Sequence, residues 1–282
     1  MADVTTAMIQ EVRERTGVGM GKCKQALVEA NGNIDDAISI LRKSGMASAV
    51  KKQGRQTNEG MISNSETAER TAVTEINSET DFVVQNALFQ QFVKDMAEEV
   101  AKTNPASLED FLAQKYSKDS DLTIDEYRAT MVQTIGENIQ IRRLKIIDKG
   151  SNRSVGVYSH MNGKIVCVVE IEGAAGEEAF AKEIGMHIAA AAPEFLSADK
   201  IPADVIENER EIAKGQVVGK PDNIVEKIVD GKLKAFYDQA CLLNQHYIKD
   251  DKITIEELVQ QRAKEAGKPL KLVGFIRWVV GQ

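Results

Sequence analysis

The chain has 282 residues, 43% of them apolar and 28% charged, with a formal net charge of −7. That length and balance describe about two ordinary globular domains with a buried core, and they exclude a disordered or fibrous chain. No apolar run approaches the ~18 residues of a membrane-spanning helix, and the acidic excess excludes a surface built chiefly to neutralise nucleic-acid phosphates.

The first ~45 residues read as three short helices. Val4, Met8 and Val12 mark the first, which stops at Thr16-Gly17. Met20, Cys23, Leu27 and Ala30 mark the second, which stops at Asn31-Gly32, and Ile34, Ala37, Ile38 and Leu41 mark the third, entered from Asn33 as a cap. Lys51-Lys52-Gln53-Gly54-Arg55-Gln56 is polar and without apolar period, so residues 1–54 are expected to form a helical module with its linker. The period then changes to two. Residues 60–66 and 70–77 alternate as a hairpin around Thr67-Ala68-Glu69. Thr80-Asp81 opens an amphipathic helix with Leu88, Phe92, Met96 and Val100 on one stripe. Asn104-Pro105 starts another helix, a third runs from about Thr123 to Glu137, and Ile139, Ile141 and Leu144 mark a strand.

The plan then partly repeats. Residues 153–160 and 164–172 form a second hairpin across Asn162-Gly163, and a helix follows from about Glu177 to Ala192, ended by Pro193. Hairpin-then-helix occurring twice predicts two related α+β halves, at 55–149 and 150–282. Two helical segments between 202 and 243 flank Gly219-Lys220-Pro221, which predicts an antiparallel helical hairpin inserted at about 200–243. Thr254 with Glu257 has the capping-box pattern for one more helix, and residues 270–280 close the chain as a strand. The fold class is α+β.

Patterns that carry chemistry are scarce. His160, His187 and His246 are scattered, and neither a His-Glu-x-x-His, a Cys-x-x-Cys nor a Gly-x-Ser-x-Gly pattern occurs. No metal, cofactor or catalytic residue is therefore expected, and His187, in an alanine-rich helical stretch, is expected to be a packed or half-exposed residue rather than a ligand. Gly17-Val18-Gly19-Met20-Gly21-Lys22-Cys23 imitates a phosphate-binding loop, but its spacing is one residue short and Cys23 replaces the hydroxyl. The glycines there read as an interhelical turn. The opening MADVTTAMIQEVRERTG carries acids and arginines where a secretion signal needs an apolar stretch. Cys23, Cys167 and Cys241 are widely separated and odd in number, which speaks for a reducing compartment. A cytoplasmic protein with no membrane association is expected.

The same opening segment has a second explanation. Arg15-Thr16-Gly17-Val18-Gly19-Met20, Cys23-Lys24-Gln25-Ala26-Leu27 and Ala30-Asn31-Gly32-Asn33 are similar to the first module of the elongation factor Ts family, a three-helix fold of the ubiquitin-associated type. The resemblance continues through Asn77-Ser78-Glu79-Thr80-Asp81-Phe82-Val83, Ile135-Gly136-Glu137-Asn138-Ile139-Gln140-Ile141-Arg142-Arg143, His187-Ile188-Ala189-Ala190, Pro193-Glu194-Phe195 and Gly274-Phe275-Ile276-Arg277. It implies a guanine-nucleotide exchange factor of translation elongation that binds the GDP form of the GTPase elongation factor Tu. It also implies contacts. Thr80, Asp81, Phe82 and Val83 match the family's intruding motif, in which the aromatic ring wedges between helices of the GTPase, with Ile135 and Gly136 beside it. Arg13, Met20 and Lys24 match contact positions of the opening module. His160, Tyr247 and Ile248 match positions of the second half that face the partner. The 202–243 segment resembles one through which some members form homodimers, and the additional C-terminal helical module of some members is not expected here.

Each of these residues also has a plain structural reading. Thr80 or Asp81 would cap a helix with Phe82 packed in its first turn; Met20, Tyr247 and Ile248 would belong to cores; His160 would end a strand; and Arg13 and Lys24 would be solvated charges. Two other function classes compete with exchange. One is a binding module for ubiquitin-like or nascent chains centred on the first three helices; the other is an enzyme, which would need titratable groups converging in a pocket.

Overall fold

The computed structural model describes residues 4–217 and 221–282, and the fold is α+β. The chain divides into two compact units: Met1–Asp148 with Asn162–Lys164 and Val279–Gln282, and Lys149–Met161 with Ile165–Trp278.

The first unit opens with α1 (Thr6–Thr16), α2 (Met20–Glu29) and α3 (Ile34–Lys52). Gly17 ends α1 in the left-handed region at φ 66°, a conformation that costs glycine nothing. Asn33 caps α3 by accepting the N–H groups of Asp35 and Asp36. Val12, Val18, Cys23, Leu27, Ala37 and Leu41 form the core of this trio. The polar run Lys51-Lys52 is the last turn of α3 rather than the start of a linker. The helix continues because its second half has its own partner. Ala49 is buried in the next core, and a Cβ on Gly45 would come within 3.4 Å of the Ala129 carbonyl oxygen.

That next core lies on a three-stranded antiparallel sheet, β1 (Glu59–Glu66), β2 (Arg70–Ser78) and β5 (Ile139–Asp148), with β2 central. The segment after β2 departs from the single helix expected from Thr80. A one-turn helix, α4 (Asp81–Val84), ends at Gln85, and α5 (Ala87–Thr103) starts afresh because Asn86 Oδ1 accepts from the N–H groups of Leu88 and Phe89. Phe89, Phe92, Val93, Met96 and Val100 are buried, whereas Leu88 is 53% exposed and lines an open cleft with Val18, Leu41 and Met131. Asn104 starts no helix. It terminates α5 in the left-handed region, a conformation asparagine tolerates, and Ser107 caps α6 (Leu108–Ala113). A small hairpin, β3 (Lys115–Tyr116) and β4 (Asp119–Thr123), leads into α7 (Ile124–Ile135), which Thr123 and Glu126 begin as a reciprocal capping box.

The second unit rebuilds this frame. Strands β6 (Arg153–His160), β7 (Ile165–Glu172) and β10 (Lys271–Val279) form a three-stranded sheet with β7 central. Helix α8 (Glu178–Ala191) packs on it, and β8 (His246–Tyr247), β9 (Asp250–Thr254) and α11 (Ile255–Ala266) follow. The correspondence reaches single residues. Tyr116 pairs with Asp119 and Lys115 with Thr123; 131 positions later Tyr247 pairs with Asp250 and His246 with Thr254. The N–H of Ile124 donates to the carbonyl of Gln114, and that of Ile255 to the carbonyl of Gln245. Thr254 and Glu257 repeat the capping box. Helices α9 (Ala203–Gly215) and α10 (Asp222–Ala240) are inserted before β8 and pack through Ala213, Val229 and Leu233. Of the predicted break between them, Gly219 and Lys220 lie outside the described residues. Among the described residues no helix is long and apolar enough to cross a membrane.

Candidate partner-binding site

Phe82 is 84% exposed, the largest exposure among the big apolar side chains described. Its placement follows from the brevity of α4. Val83 and Val84 are buried in the sheet core and hold the turn down, while Asp81 and Phe82 are left outside. Val83, predicted as part of an intruding wedge, is instead buried beneath this turn.

Thr80 holds the N-cap position of α4 but makes no side-chain cap hydrogen bond. Its hydroxyl donates instead to Glu137 Oε1 at 2.7 Å, and its backbone N–H donates to Glu137 Oε2 at 3.0 Å. Glu137 directly follows Ile135 and Gly136, so the two predicted motifs are joined. A second carboxylate bridges the same loops in the opposite sense, with Glu79 Oε1 accepting the N–H of Asn138 at 2.6 Å and the Arg55 guanidinium at 3.3 Å. Gly136 ends α7 at φ 95°, and Ile135 is half-buried against the core.

The C-terminal end of α7 also receives cations from the opening helices. Lys52 Nζ donates to the carbonyls of Gly136 and Val132, and Lys22 Nζ to that of Gln133. Unpaired carbonyls and the helix dipole favour positive charge there. Burial lowers the Lys52 pKa, and the like charge of Arg55 lowers it further.

Arg13, Met20 and Lys24 are all exposed. Met20 (43% exposed), Lys24 and Val28 (51% exposed) recur every four residues and share one face of α2. Met20 is therefore outside the core, and Val28, which no sequence motif singles out, extends the same face.

In the second unit, His160 ends β6 and is exposed, with Tyr158 Oη 3.1 Å from its Nδ1. Tyr247 is buried and Ile248 is 46% exposed. Tyr247 Oη donates to Glu183 Oε1 at 2.7 Å, and Lys249 Nζ donates to the same oxygen at 2.6 Å. Those two bonds, led by that from Lys249, hold the Glu183 carboxyl below its ordinary range, whereas burial chiefly pushes the Tyr247 phenol up to about 12. The aromatic ring thus fixes the hairpin, and Ile248 is the residue it presents. The backbone N–H of Ile248 donates to Nδ1 of the buried His187 at 3.3 Å. Nδ1 must therefore be unprotonated, and Nε2–H donates to Gln245 Oε1 at 2.9 Å. No hydrogen bond, ion pair or ring contact among the described residues joins His160 to Tyr247 or Ile248.

Burial lowers the His187 pKa from its ordinary 6.5, against a smaller raising effect of Gln245. The unfolded chain then binds a proton at a pH where the folded chain does not. Stability is fully present above about 6.5 and falls as pH drops through that value towards the lower folded one. Thermal midpoints should decline from pH 7.5 to 5.5, and less steeply in His187→Gln; identical slopes would show that His187 is not the titrating group.

Among the described residues no three His, Cys, Asp or Glu side chains converge as metal ligands. The Cys23, Cys167 and Cys241 thiols are buried and unpaired, and burial pushes that of Cys167 up to about 12. Of the apolar residues that the sequence motifs single out, Phe82, Met20 on the α2 face and Ile248 are exposed.

Known proteins carry the same sequence pattern. Residues 79–282 match the profile of the family described as Elongation factor TS. The chain is 61% identical to the Elongation factor Ts of Protochlamydia amoebophila over 282 residues, covering all of both chains. It is 46% identical over 281 and 282 residues, respectively, to the proteins of that name from Chlamydia caviae and Chlamydia muridarum, again over the full length of each.

Proposed function

Because the chain belongs to the elongation factor Ts family, we propose that this translation elongation factor binds elongation factor Tu in its GDP form and accelerates release of GDP. The observation that carries the reading is Phe82, held 84% exposed on a turn whose next two residues are buried. Leaving a phenylalanine in water contributes little to folding, but burying it against a partner is worth about 2–3 kcal/mol.

The mechanism needs no chemistry from this chain. A GDP complex of nanomolar affinity is worth about −12 kcal/mol, so unaided release is slow. A protein that binds the opened GTPase better than the nucleotide-loaded one lowers nucleotide affinity by that difference, and reciprocity makes incoming nucleotide expel the protein. Phe82 supplies the differential burial. Asp81, exposed beside it, brings a carboxylate to the magnesium and phosphate end of the nucleotide site, where it opposes the groups that hold them. The α2 face of Met20, Lys24 and Val28, with Arg13, provides a second contact, and His160 with Ile248 a third from the second unit. Tyr247 and Val83 act from inside the fold by holding their neighbours.

The test is release of a fluorescent GDP analogue from elongation factor Tu, followed by stopped flow with unlabelled GDP in excess. Acceleration that rises with concentration and saturates supports exchange. Absence of acceleration by a folded sample leaves a binding protein without exchange activity.

A further inference from the structure

We propose that Glu137 is a positioning residue for nucleotide exchange: its carboxylate grips Thr80 through both backbone and side chain and so fixes the direction in which Phe82 projects. The inference rests on the exchange reading above and deepens it.

Three observations and one general principle carry it. Glu137 accepts from both polar hydrogens of Thr80, at 3.0 and 2.7 Å, across 57 residues of sequence. The Thr80 hydroxyl is thereby drawn away from the capping bond that its position before α4 would otherwise favour, and α4 has no side-chain cap at all. An isolated single helical turn is marginal in water, because its nucleation fixes several torsions for one hydrogen bond. Phe82, at 84% exposure, has little packing of its own to hold it. The turn is therefore held from behind by Val83 and Val84 and from its entry side by Glu137.

The grip is doubled and braced. Glu79, the residue before Thr80, accepts from the N–H of Asn138, the residue after Glu137. Each loop thus contributes one carboxylate to the backbone of the other, and twisting either one strains both. Lys52 on the Gly136 carbonyl fixes the origin of the Glu137 loop to α3. A partner then meets a wedge already ordered, and the ordering cost falls on folding instead of on association.

The experiment compares wild type, Glu137→Ala, Glu137→Gln, Phe82→Ala and the Glu137→Ala/Phe82→Ala double variant. Two readouts are taken: GDP release from elongation factor Tu, and amide hydrogen exchange of residues 80–84 in the free protein. Glu137→Ala should speed amide exchange at those residues and raise the KM for the loaded GTPase on the order of tenfold, the equivalent of ordering one further backbone residue. The saturating rate should be kept. Glu137→Gln should recover most of the loss, since its carboxamide accepts from the Thr80 N–H and donates to the hydroxyl; this variant also decides the question if alanine compromises folding. The double variant should be no worse than Phe82→Ala. Wild-type KM in Glu137→Ala beside an impaired Phe82→Ala overturns the positioning role alone, as do losses that multiply in the double variant. If the wild-type protein does not accelerate release, the exchange reading falls and the positioning role with it.

Discussion

Replacing Phe82 by alanine should reduce the kcat/KM of GDP release about 30- to 150-fold, corresponding to the loss of ~2–3 kcal/mol of burial gained only in the complex. The thermal midpoint should be unchanged, because a side chain 84% exposed contributes almost nothing to the free protein. That pairing, a large kinetic effect with no stability effect, separates a wedge from a staple. A phenylalanine packed in its own helix would lose stability on truncation. A drop in midpoint with normal exchange would therefore return Phe82 to the structural role that the local sequence also allows. Truncating Leu88, also exposed but in the cleft beside Val18 and Leu41, makes the natural comparison.

Gly156→Val should destabilise the fold by about 3 kcal/mol or more. Strand β6 and helix α8 touch backbone to backbone at this point. A Cβ on Gly156 would lie 2.4 Å from the Lys182 nitrogen and 2.6 Å from both the Ala181 Cβ and the Glu178 carbonyl oxygen. Three contacts with one rigid helix leave no flexible side chain to yield, so α8 must lift off the sheet. The thermal midpoint of this unit should fall by roughly 10 °C, and a fall of only a degree or two would show that the helix tolerates displacement. Function should follow, because α8 carries Glu183 and His187, the residues that hold Tyr247 and Ile248.

The elements that the sequence reveals are those whose signals are local. Asn33, Thr254 with Glu257, and Gly17 each satisfy backbone groups within four residues, and each does so where expected. Asn104 misleads because asparagine serves both ends of a helix, as an oxygen acceptor at the start and as a tolerated left-handed residue at the stop. The interruption between α4 and α5 carries no glycine or proline; only the Asn86 side chain marks it. The continuation of α3 through Lys51 and Lys52 depends on α7, far along the chain, and so escapes any reading of local periodicity.

The candidate site divides in the same way. The motifs single out Phe82, Met20 and Ile248, and all three prove exposed. Their exposure itself is not legible in the sequence, since an Asp-Phe-Val-Val segment does not reveal which apolar side chains turn out. Tyr247 and Val83, singled out by the same motifs, prove buried, and each lies beside an exposed neighbour, Ile248 and Phe82. The signal for Tyr247 is present in the repeat of Lys115-Tyr116-Ser117-Lys118-Asp119 as His246-Tyr247-Ile248-Lys249-Asp250, in which both tyrosines hydrogen-bond a carboxylate of the preceding sheet-packed helix. Glu137 stands within the second motif but its partner lies 57 residues earlier, a pairing that spacing alone does not reveal.

Helix α3 belongs to two cores, with Leu41 in one and Ala49 in the other. A continuous helix transmits torsion without loss, so the stretch between these residues sets a phase angle as well as a distance. One residue inserted there would rotate one buried face against the other by about 100° and separate them by about 1.5 Å. A seven-residue insertion would nearly restore the angle, but at about 10 Å of separation. The stretch from Arg42 to Ser48 is thus a gauge of fixed length, in which substitution away from the tightly packed Gly45 and the core-packed Met46 is tolerated far better than insertion or deletion.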